Sequence, residues 1–295
     1  MDLNQSSTLN LSKLDSPVLI TGATGGLGKA FAVECAGRGW DMLLTDLQES
    51  SLSTLASSLQ ATYGVGVAYQ ACDLTESTSR LALYNRMRME NCRLRMLINV
   101  AGTDQEGLFL EVPARRVEAI VRLNVEATLD LIHNLFPCRD PQIPFRIINV
   151  ASLAAFYPMP YKATYAATKR FLLDFSLALR EEIREAGATV TALCPAGMPT
   201  APETVQAIDA QGLAGFITTQ NIGSVAAETI DAALQGKAIF IPGRVNQWLH
   251  ALSGLIPATL LAHFVSRRWG SARENSKSEY GKKPTGAPQP QVESI

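Results

Sequence analysis

The sequence predicts an α/β fold, in which a doubly wound parallel sheet of about seven strands is flanked by helices and followed by a C-terminal helical extension. Apolar runs bounded by Gly, Pro, Asp or Asn alternate with longer segments of helical period, which is the pattern of repeated strand–helix–strand units. The chain has 295 residues, of which 47% are hydrophobic and 18% charged, so it can bury a large core. We therefore expect one sheet domain.

The predicted strands are short apolar runs, and the predicted helices fill the longer intervals between them. The strands are Pro17–Thr21, Asp41–Thr45, Val65–Cys72, Leu94–Val100, Phe145–Ala151, Ala188–Cys194 and Ala238–Ile241. Helices are predicted near residues 27–38, 49–62, 76–91, 113–135, 163–186 and 222–235. Prolines and glycines interrupt this rhythm at 198–222, which predicts a partly helical excursion above the sheet.

Composition excludes several classes of function. The formal net charge is −1, and no basic cluster stands out, which argues against nucleic acid as a partner and favours small molecules. The five cysteines are scattered without a CxxC pair, and there are only three histidines. We expect no disulfide framework, no bound metal and a reducing, cytoplasmic compartment.

A glycine-rich turn follows the first predicted strand and precedes the first predicted helix. The residues Thr21-Gly22-Ala23-Thr24-Gly25-Gly26-Leu27-Gly28 run directly from Val18-Leu19-Ile20. Glycines let the backbone approach a pyrophosphate, and the helix N-terminus offers free N–H groups to it. The turn indicates a dinucleotide site, with a tight strand-to-helix connection as the alternative.

Two acidic residues close the next predicted strands. Asp46 stands 24 positions after Gly22, where a carboxylate can accept hydrogen bonds from ribose hydroxyls and repel a 2′-phosphate. Neither Gly25 nor Leu47 is basic, so NAD is favoured over NADP. The alternative is that Asp46 caps the following helix. Asp73 could meet the adenine, or it could simply form a turn.

Four features in order carry a family resemblance: Thr21–Gly28, Asn99-Val100-Ala101-Gly102, Ser152, and Tyr165-Ala166-Ala167-Thr168-Lys169. Over residues 15–245 the chain resembles the short-chain dehydrogenase/reductase family. The resemblance implies a Rossmann-type sheet, a nicotinamide dinucleotide, and an active site of Asn124, Ser152, Tyr165 and Lys169. It also implies an NAD-dependent alcohol dehydrogenase or carbonyl reductase that assembles as a homodimer or homotetramer.

The chemistry of these residue types fits that implication. Tyr165 and Lys169 are four apart, so they share one face of a helix. We expect the Lys169 ammonium to lower the pKa of the Tyr165 phenol, so that Tyr165 exchanges a proton with substrate oxygen. Ser152 could hydrogen-bond the same oxygen. The resemblance further implies that Lys169 holds the nicotinamide ribose and that Asn124 anchors a water.

The cofactor is expected to contact the glycine turn and the residues after the strands. The predicted contacts are Thr21, Gly22, Thr24, Gly25, Gly26, Leu27, Gly28, Asp46, Asp73, Leu74, Asn99, Ala101, Gly102, Tyr165, Lys169, Pro195, Gly197 and Thr200. Asn99 is also expected to hold the sheet together. Ala196 stands where the family carries glycine, so the turn before Thr200 departs from the family pattern.

Apolar side chains surround the predicted catalytic residues. Leu153, Tyr157, Met159 and Phe216 are expected to line a substrate pocket with Ser152 and Tyr165. We predict a bulky, lipophilic secondary alcohol or ketone of steroid or fatty-acyl type. The alternative is that these side chains only pack the loops.

The chain is expected to divide into a frayed lead-in at 1–15, a Rossmann-type catalytic domain at 16–245, an amphipathic helical extension at 246–269 and a disordered tail at 270–295. Twenty-two residues without a charge separate Arg244 from Arg267, with Pro257 in the middle. We predict a kinked pair of amphipathic helices. The pair could cover the pocket, pack on a second subunit or lie on a membrane surface.

Two other functions use the same predicted fold. A dinucleotide-binding regulatory or scaffold protein would keep the cofactor site without turnover, but the intact Asn124, Ser152, Tyr165 and Lys169 argue against it. An enoyl-type reductase would act on a carbon–carbon double bond, whereas the spacing of Ser152 and Tyr165 favours carbonyl chemistry.

Overall fold

A computed structural model describes residues 9–198, 220–253 and 257–267. Within these residues the strands form one seven-stranded sheet of order β3-β2-β1-β4-β5-β6-β7, in which every neighbouring pair is parallel. The strands are β1 Val18–Thr21, β2 Met42–Asp46, β3 Val67–Ala71, β4 Met96–Asn99, β5 Phe145–Val150, β6 Ala188–Leu193 and β7 Ile239–Phe240. The predicted fold class is confirmed.

Helices connect the strands and cover both faces of the sheet. They are α1 Gly26–Gly37, α2 Glu49–Tyr63, α3 Ser77–Met89, α4 Ala114–Val121, α5 Ala127–Leu135, α6 Ala163–Glu182, α7 Ile222–Leu234 and α8 Arg244–Ser253. Residues 258–267 are also helical. The helix predicted at 113–135 is α4 and α5 joined by a π-helical turn, Arg122–Glu126, so the chain gains a bulge there.

The core has two layers because successive residues of a strand point to opposite faces. In β1, Val18 and Ile20 pack in the layer that contains Phe31 of α1. Leu19 packs in the opposite layer with Leu83 of α3. Since both faces are covered, the strands are mostly apolar, although Arg146 of β5 and Thr191 of β6 lie inside their strands.

Strand order reverses between the neighbouring strands β1 and β4. From β1 the chain adds β2 and β3 toward one edge of the sheet, and from β4 it adds β5, β6 and β7 toward the other. In open α/β sheets a ligand cleft forms at such a reversal, outside the carboxyl ends of the strands. The loops after β1 and β4 therefore form the centre of the site described below.

The first described residues of the chain pack against the sheet domain. In the segment predicted to fray, Leu11 is buried in the core and its N–H donates to Glu90 Oε2 at 2.6 Å, so this part of the lead-in is packed. Residues 199–219 of the excursion predicted at 198–222 and the tail predicted at 270–295 lie outside the described residues. In the described part of the chain, no helix combines the length and apolar character needed to cross a membrane.

Candidate active site

A cleft of about 1150 Å³ lies at the carboxyl ends of the strands. Most predicted site residues line it: Gly22, Thr24, Gly25, Gly26, Leu27, Gly28, Asp46, Asp73, Leu74, Ala101, Gly102, Ser152, Leu153, Tyr157, Met159, Tyr165, Lys169, Pro195 and Gly197. Three others, Thr21, Asn99 and Asn124, are buried behind its wall. Thr200 and Phe216 lie outside the described residues.

The glycine-rich turn brings the backbone of α1 close to the end of β1. Gly22 has a φ of +62°, and a Cβ on it would lie 2.9 Å from the Ala101 Cα atom. A Cβ on Gly28 would lie 2.0 Å from the Gly22 carbonyl oxygen. Gly25 precedes α1 and makes no side-chain cap, so the first N–H groups of the helix are left to a ligand. This cradle fits a pyrophosphate.

Asp46 is fixed at the end of β2 by three donors. The backbone N–H and the hydroxyl of Thr24 donate to its Oδ2 at 2.9 and 2.7 Å, and the N–H of Leu47 donates to Oδ1 at 2.7 Å. The neighbouring cleft residues in the described chain, Gly25 and Leu47 among them, carry no positive charge. A nucleotide in this part of the cleft would meet an oriented carboxylate.

Asp73 lies in the same part of the cleft, but its carboxylate hydrogen-bonds within the turn that Asp73 itself begins. Its Oδ1 accepts from the backbone N–H and the hydroxyl of Thr75, at 2.9 and 2.7 Å. This arrangement is an Asx turn, the second of the two readings that the sequence left open. The carboxylate still borders the cleft and could reach a ligand there.

Thr21 and Asn99 hold strands together beneath the cleft. The Thr21 hydroxyl accepts from the N–H groups of Val100 and Ala101, both at 3.1 Å. The Asn99 amide donates to Asn149 Oδ1 at 2.9 Å. The sequence predicts both as cofactor contacts. Their side chains hold the backbone beneath the cleft and do not line the cleft surface. For Asn99 this agrees with its expected role in holding the sheet together.

Tyr165 and Lys169 lie one turn apart on α6 and face the end of β5. The Lys169 ammonium is buried, donates to the Val150 carbonyl oxygen at 2.7 Å and lies 5.7 Å from the centre of the Tyr165 ring. Ser152, two residues after β5, accepts from the Ala154 N–H at 3.1 Å and lines the same cleft as Tyr165. The cleft thus brings a serine hydroxyl, a phenol and an ammonium together.

The electrostatics of this group differ from the expectation. Burial raises the pKa of Tyr165 to about 12, against the Ser152 hydrogen bond that lowers it, and the Asp104 carboxylate raises it further. Burial lowers the pKa of Lys169 to about 8, opposed by Asp104. The sequence predicts a lowered pKa for Tyr165, whereas burial, the largest effect on this phenol, raises its pKa. At neutral pH Tyr165 is therefore a proton donor.

Asn124 occupies the π-helical turn between α4 and α5. Its amide oxygen accepts from the Thr103 N–H at 2.9 Å, and its amide nitrogen donates to the Thr103 carbonyl at 3.0 Å and the Thr168 hydroxyl at 3.1 Å. Thr168 precedes Lys169 on α6, so Asn124 links the loop after β4 to the helix that carries the tyrosine and lysine.

The sequence does not predict four charged or amide side chains of the cleft, namely Asp104, Arg116, Lys162 and Asn246. Lys162 lies three and seven residues before Tyr165 and Lys169, a spacing that places it on their helical face. Asp104 follows β4 at the edge where ligands bind, which was also a usable signal. Arg116 and Asn246 carry no such signal.

Comparison with known proteins gives a consistent assignment. The model of the short chain dehydrogenase family matches residues 16–212. The very-long-chain 3-oxoacyl-CoA reductase of Laccaria bicolor is 32% identical over 176 residues, which covers 58% of this chain and 52% of that protein. The chain thus spans about half the length of this curated relative.

Solved structures agree on the fold. A short-chain dehydrogenase from Sphingobium yanoikuyae in complex with NADPH is 26% identical, with a TM-score of 0.70 over 95% of this chain and 100% of that one. A 7β-hydroxysteroid dehydrogenase has a TM-score of 0.75 at 24% identity and covers 88% of this chain and 100% of that one.

Proposed function

Because this chain belongs to the short chain dehydrogenase family, we propose that it is an oxidoreductase that interconverts a secondary alcohol and a ketone. One observation carries the proposal, namely the meeting of Ser152, Tyr165 and Lys169 in the cleft that also contains the glycine cradle. A scaffold protein would need the cradle but not a buried lysine beside a phenol and a hydroxyl.

In the proposed reaction, a nicotinamide dinucleotide supplies the hydride to the carbonyl carbon when it is bound. Tyr165 donates its phenolic proton to the carbonyl oxygen, which receives a further hydrogen bond from the Ser152 hydroxyl. Lys169 would hold the nicotinamide ribose, and its positive charge lies beside the phenol when Tyr165 loses its proton. Asn124 positions the loop after β4 and the helix that carries Lys169.

We propose NAD as the cofactor. The support is the Asp46 carboxylate, which Thr24 and Leu47 orient toward the cleft and which would repel a 2′-phosphate. The solved relative from Sphingobium yanoikuyae was determined with NADPH, so the choice has to be tested in this chain. The Asp46 variants described in the Discussion make that test.

The proposed substrate is bulky and lipophilic. Leu153, Tyr157 and Met159 line the cleft near Tyr165, and the cleft volume can hold a large apolar group beside the cofactor. The 3-oxoacyl-CoA reductases among the relatives and the hydroxysteroid dehydrogenase among the similar structures suggest two substrate classes to screen, 3-oxoacyl thioesters and ketosteroids.

The test is a screen of these ketones and of the matching alcohols, followed by NADH absorbance. Tyr165→Phe should lower the turnover of any active substrate about a thousandfold, which is the size of effect expected when a general acid is lost. NADH binding should stay within about twofold of wild type. Tyr63→Phe, which removes an exposed phenol at the end of α2 and outside the cleft lining, is the control and should retain full activity. Full activity of Tyr165→Phe would disprove the catalytic role of Tyr165.

A further inference from the structure

An arginine at the rim of the cleft forms no ion pair with an acidic side chain in the described part of the chain. Arg116 lies in the first turn of α4, lines the cleft and is exposed. Its hydrogen bonds go to neutral acceptors: Nε donates to Gln105 Oε1 at 3.2 Å, and Nη2 donates to the Thr103 hydroxyl at 2.8 Å and to the Asp104 carbonyl oxygen at 2.9 Å. These bonds orient the guanidinium without neutralising its charge.

We propose that Arg116 is a specificity-determining residue that binds an anionic group of the carbonyl substrate. The cleft would then prefer a ketone that carries a phosphate or a carboxylate over a neutral ketone with the same acyl chain. This inference rests on the proposed function and names a chemical feature of its substrate. Coenzyme A thioesters contain phosphates, whereas an unconjugated ketosteroid contains no anionic group.

The loop after β4 brings Arg116 to the catalytic part of the cleft. Thr103, whose hydroxyl contacts the guanidinium, bonds to the Asn124 amide through its N–H at 2.9 Å and through its carbonyl oxygen at 3.0 Å. Gly102 precedes it, and a Cβ on Gly102 would lie 3.4 Å from the Lys169 Nζ atom. A substrate bound at the catalytic group can therefore contact Arg116 as well.

The charges of the cleft lining differ between its two parts. In the nucleotide part, the charged side chains of the described lining are the carboxylates Asp46 and Asp73. The catalytic part contains three cations and one carboxylate, namely Arg116, Lys162, Lys169 and Asp104. Cations therefore outnumber carboxylates at the catalytic end, and this excess attracts a negatively charged substrate group.

Among the cations of the described lining, Arg116 can meet a substrate without breaking an ion pair. Lys162 contacts Asp104 Oδ2 and lies 3.7 Å from Glu106. Lys169 is buried and is assigned to the nicotinamide ribose. The N–H groups on Arg116 Nη1 make no hydrogen bond within the described residues, so they can donate to an anionic oxygen.

The position of the loop does not depend on Arg116 alone. The two bonds between Thr103 and Asn124 remain when the arginine is replaced. The Gly107 N–H also donates to the Tyr161 carbonyl oxygen at 2.8 Å, which ties the loop to the segment before α6. Removing the Arg116 charge should therefore leave the loop in position.

The experiment compares kcat/KM for a 3-oxoacyl-CoA, for its neutral N-acetylcysteamine thioester, and for an N-acetylcysteamine thioester whose acyl chain ends in a carboxylate. Arg116→Gln should lower kcat/KM for an anionic substrate about tenfold, chiefly through KM, which is the size expected for one hydrogen bond to a charged group. The neutral thioester should stay within about twofold of wild type. A loss with the coenzyme A thioester alone identifies phosphate as the bound group, and a loss with the carboxylate chain alone identifies carboxylate.

Arg115→Gln is the matched control, because Arg115 precedes Arg116 on α4, is also exposed and does not line the cleft. It should leave kcat/KM for every substrate within about twofold of wild type. Arg116→Lys keeps the charge and should lose about threefold or less with the anionic substrates. Arg116→Gln should bind NADH within about twofold of wild type, since the inference assigns the arginine to the substrate and not to the cofactor pyrophosphate.

Equal losses for anionic and neutral substrates, an equal loss in Arg115→Gln, or a tenfold weaker binding of NADH would overturn the inference. A second measurement needs no turnover: calorimetric titration of the NADH-loaded Tyr165→Phe protein with the same thioesters. Adding Arg116→Gln should weaken the binding of an anionic thioester about tenfold, and unchanged binding of both anionic thioesters would overturn the inference.

The proposed function fails in a different way. Turnover of neutral ketones without turnover of either anionic thioester would overturn the role of Arg116 and leave the proposed oxidoreductase activity standing. Absence of turnover with every ketone and alcohol would refute the proposed function, and the calorimetric titration would still test Arg116.

Discussion

At the scale of single residues, one carboxylate governs the proposed choice of cofactor. Asp46 accepts three hydrogen bonds from Thr24 and Leu47, which leave its charge at the mouth of the nucleotide end of the cleft. Hydrogen bonds to a charged group contribute about 1.5–3 kcal/mol, roughly twice those between neutral groups. The negative charge of Asp46, and not only the shape of its side chain, should therefore decide between NADH and NADPH, because it would repel the 2′-phosphate of NADPH.

Asp46→Asn keeps the size of the side chain and removes that charge. We expect kcat/KM for NADH to fall about tenfold, which corresponds to about 1.4 kcal/mol, and kcat/KM for NADPH to stay level or rise. Steady-state kinetics with both cofactors measures the ratio. Asp73→Asn is the matched control, because Asp73 lies in the same part of the cleft but serves its own turn. Equal ratios in the two variants would contradict the role given to Asp46.

Many of the residues that line the cleft were predictable from the sequence, because motif order and the spacing along helices and after strands place them at one edge of the sheet. Tyr165 and Lys169 are an example, and Lys162 could have been found in the same way. Their ionisation was not predictable, since the pKa of Tyr165 depends on how much water the surrounding loops exclude. Spacing along a chain contains no information on desolvation.

At the scale of elements, the packing of α1 onto the end of β1 depends on one missing side chain. Gly28 lies in the first turn of α1, and a methyl group on it would overlap the Gly22 carbonyl. The helix would have to move away from the strand, which would also widen the cradle of N–H groups. The structural and cofactor-binding roles of this turn are therefore coupled.

Gly28→Ala should destabilise the protein by about 3 kcal/mol and weaken NADH binding at least tenfold. Denaturant unfolding and fluorescence titration of NADH measure the two effects. Gly37→Ala, at the other end of the same helix, is the matched control, because a Cβ there would meet only the Tyr63 ring at 4.0 Å. It should change stability by no more than about 1 kcal/mol, toward stabilisation. Similar losses in both variants would show that the contact with Gly22 is not the cause.

The type and order of elements followed from hydrophobic periodicity, but the bulge inside the helix predicted at 113–135 did not. A π-turn adds one residue to a helical turn, and the apolar spacing on either side still reads as one helix. The reason for the bulge is tertiary: Asn124 must reach Thr103 and Thr168 at once, and this requirement involves residues far apart in the chain.

At the scale of the whole molecule, the C-terminal helices contact the sheet domain at two pockets. Asn246 of α8 is buried and lines the cleft. Ser266, in the helical residues 258–267, lines a second, small pocket with Leu108, Val112 and Tyr161. The inner sides of these helices thus support the loops around the site, which favours the pocket-packing alternative for these sides.

The same helices expose several large apolar side chains. Trp248, Leu260 and Phe264 are 69%, 53% and 62% exposed, and Arg244 and Arg267 bound the uncharged stretch that contains them. Large apolar side chains flanked by arginines suit a lipid surface with anionic headgroups, where the apolar groups enter the acyl boundary and the arginines remain at the phosphates. A lipophilic substrate would be concentrated in the same place.

We therefore predict that the full chain floats with vesicles of phosphatidylserine and phosphatidylcholine, and less with phosphatidylcholine alone. Replacing Trp248, Leu260 and Phe264 together by serine should lower the bound fraction at least fivefold, because each large apolar side chain buried in lipid contributes about 1.5–3 kcal/mol. Replacing the exposed Leu81 and Met89 of α3 by serine is the control and should leave flotation unchanged. Equal flotation of the triple variant and wild type, or no flotation of wild type, would exclude this surface as a membrane contact. The alternative, that the surface packs against a second subunit, would then be tested by measuring the mass of the protein in solution.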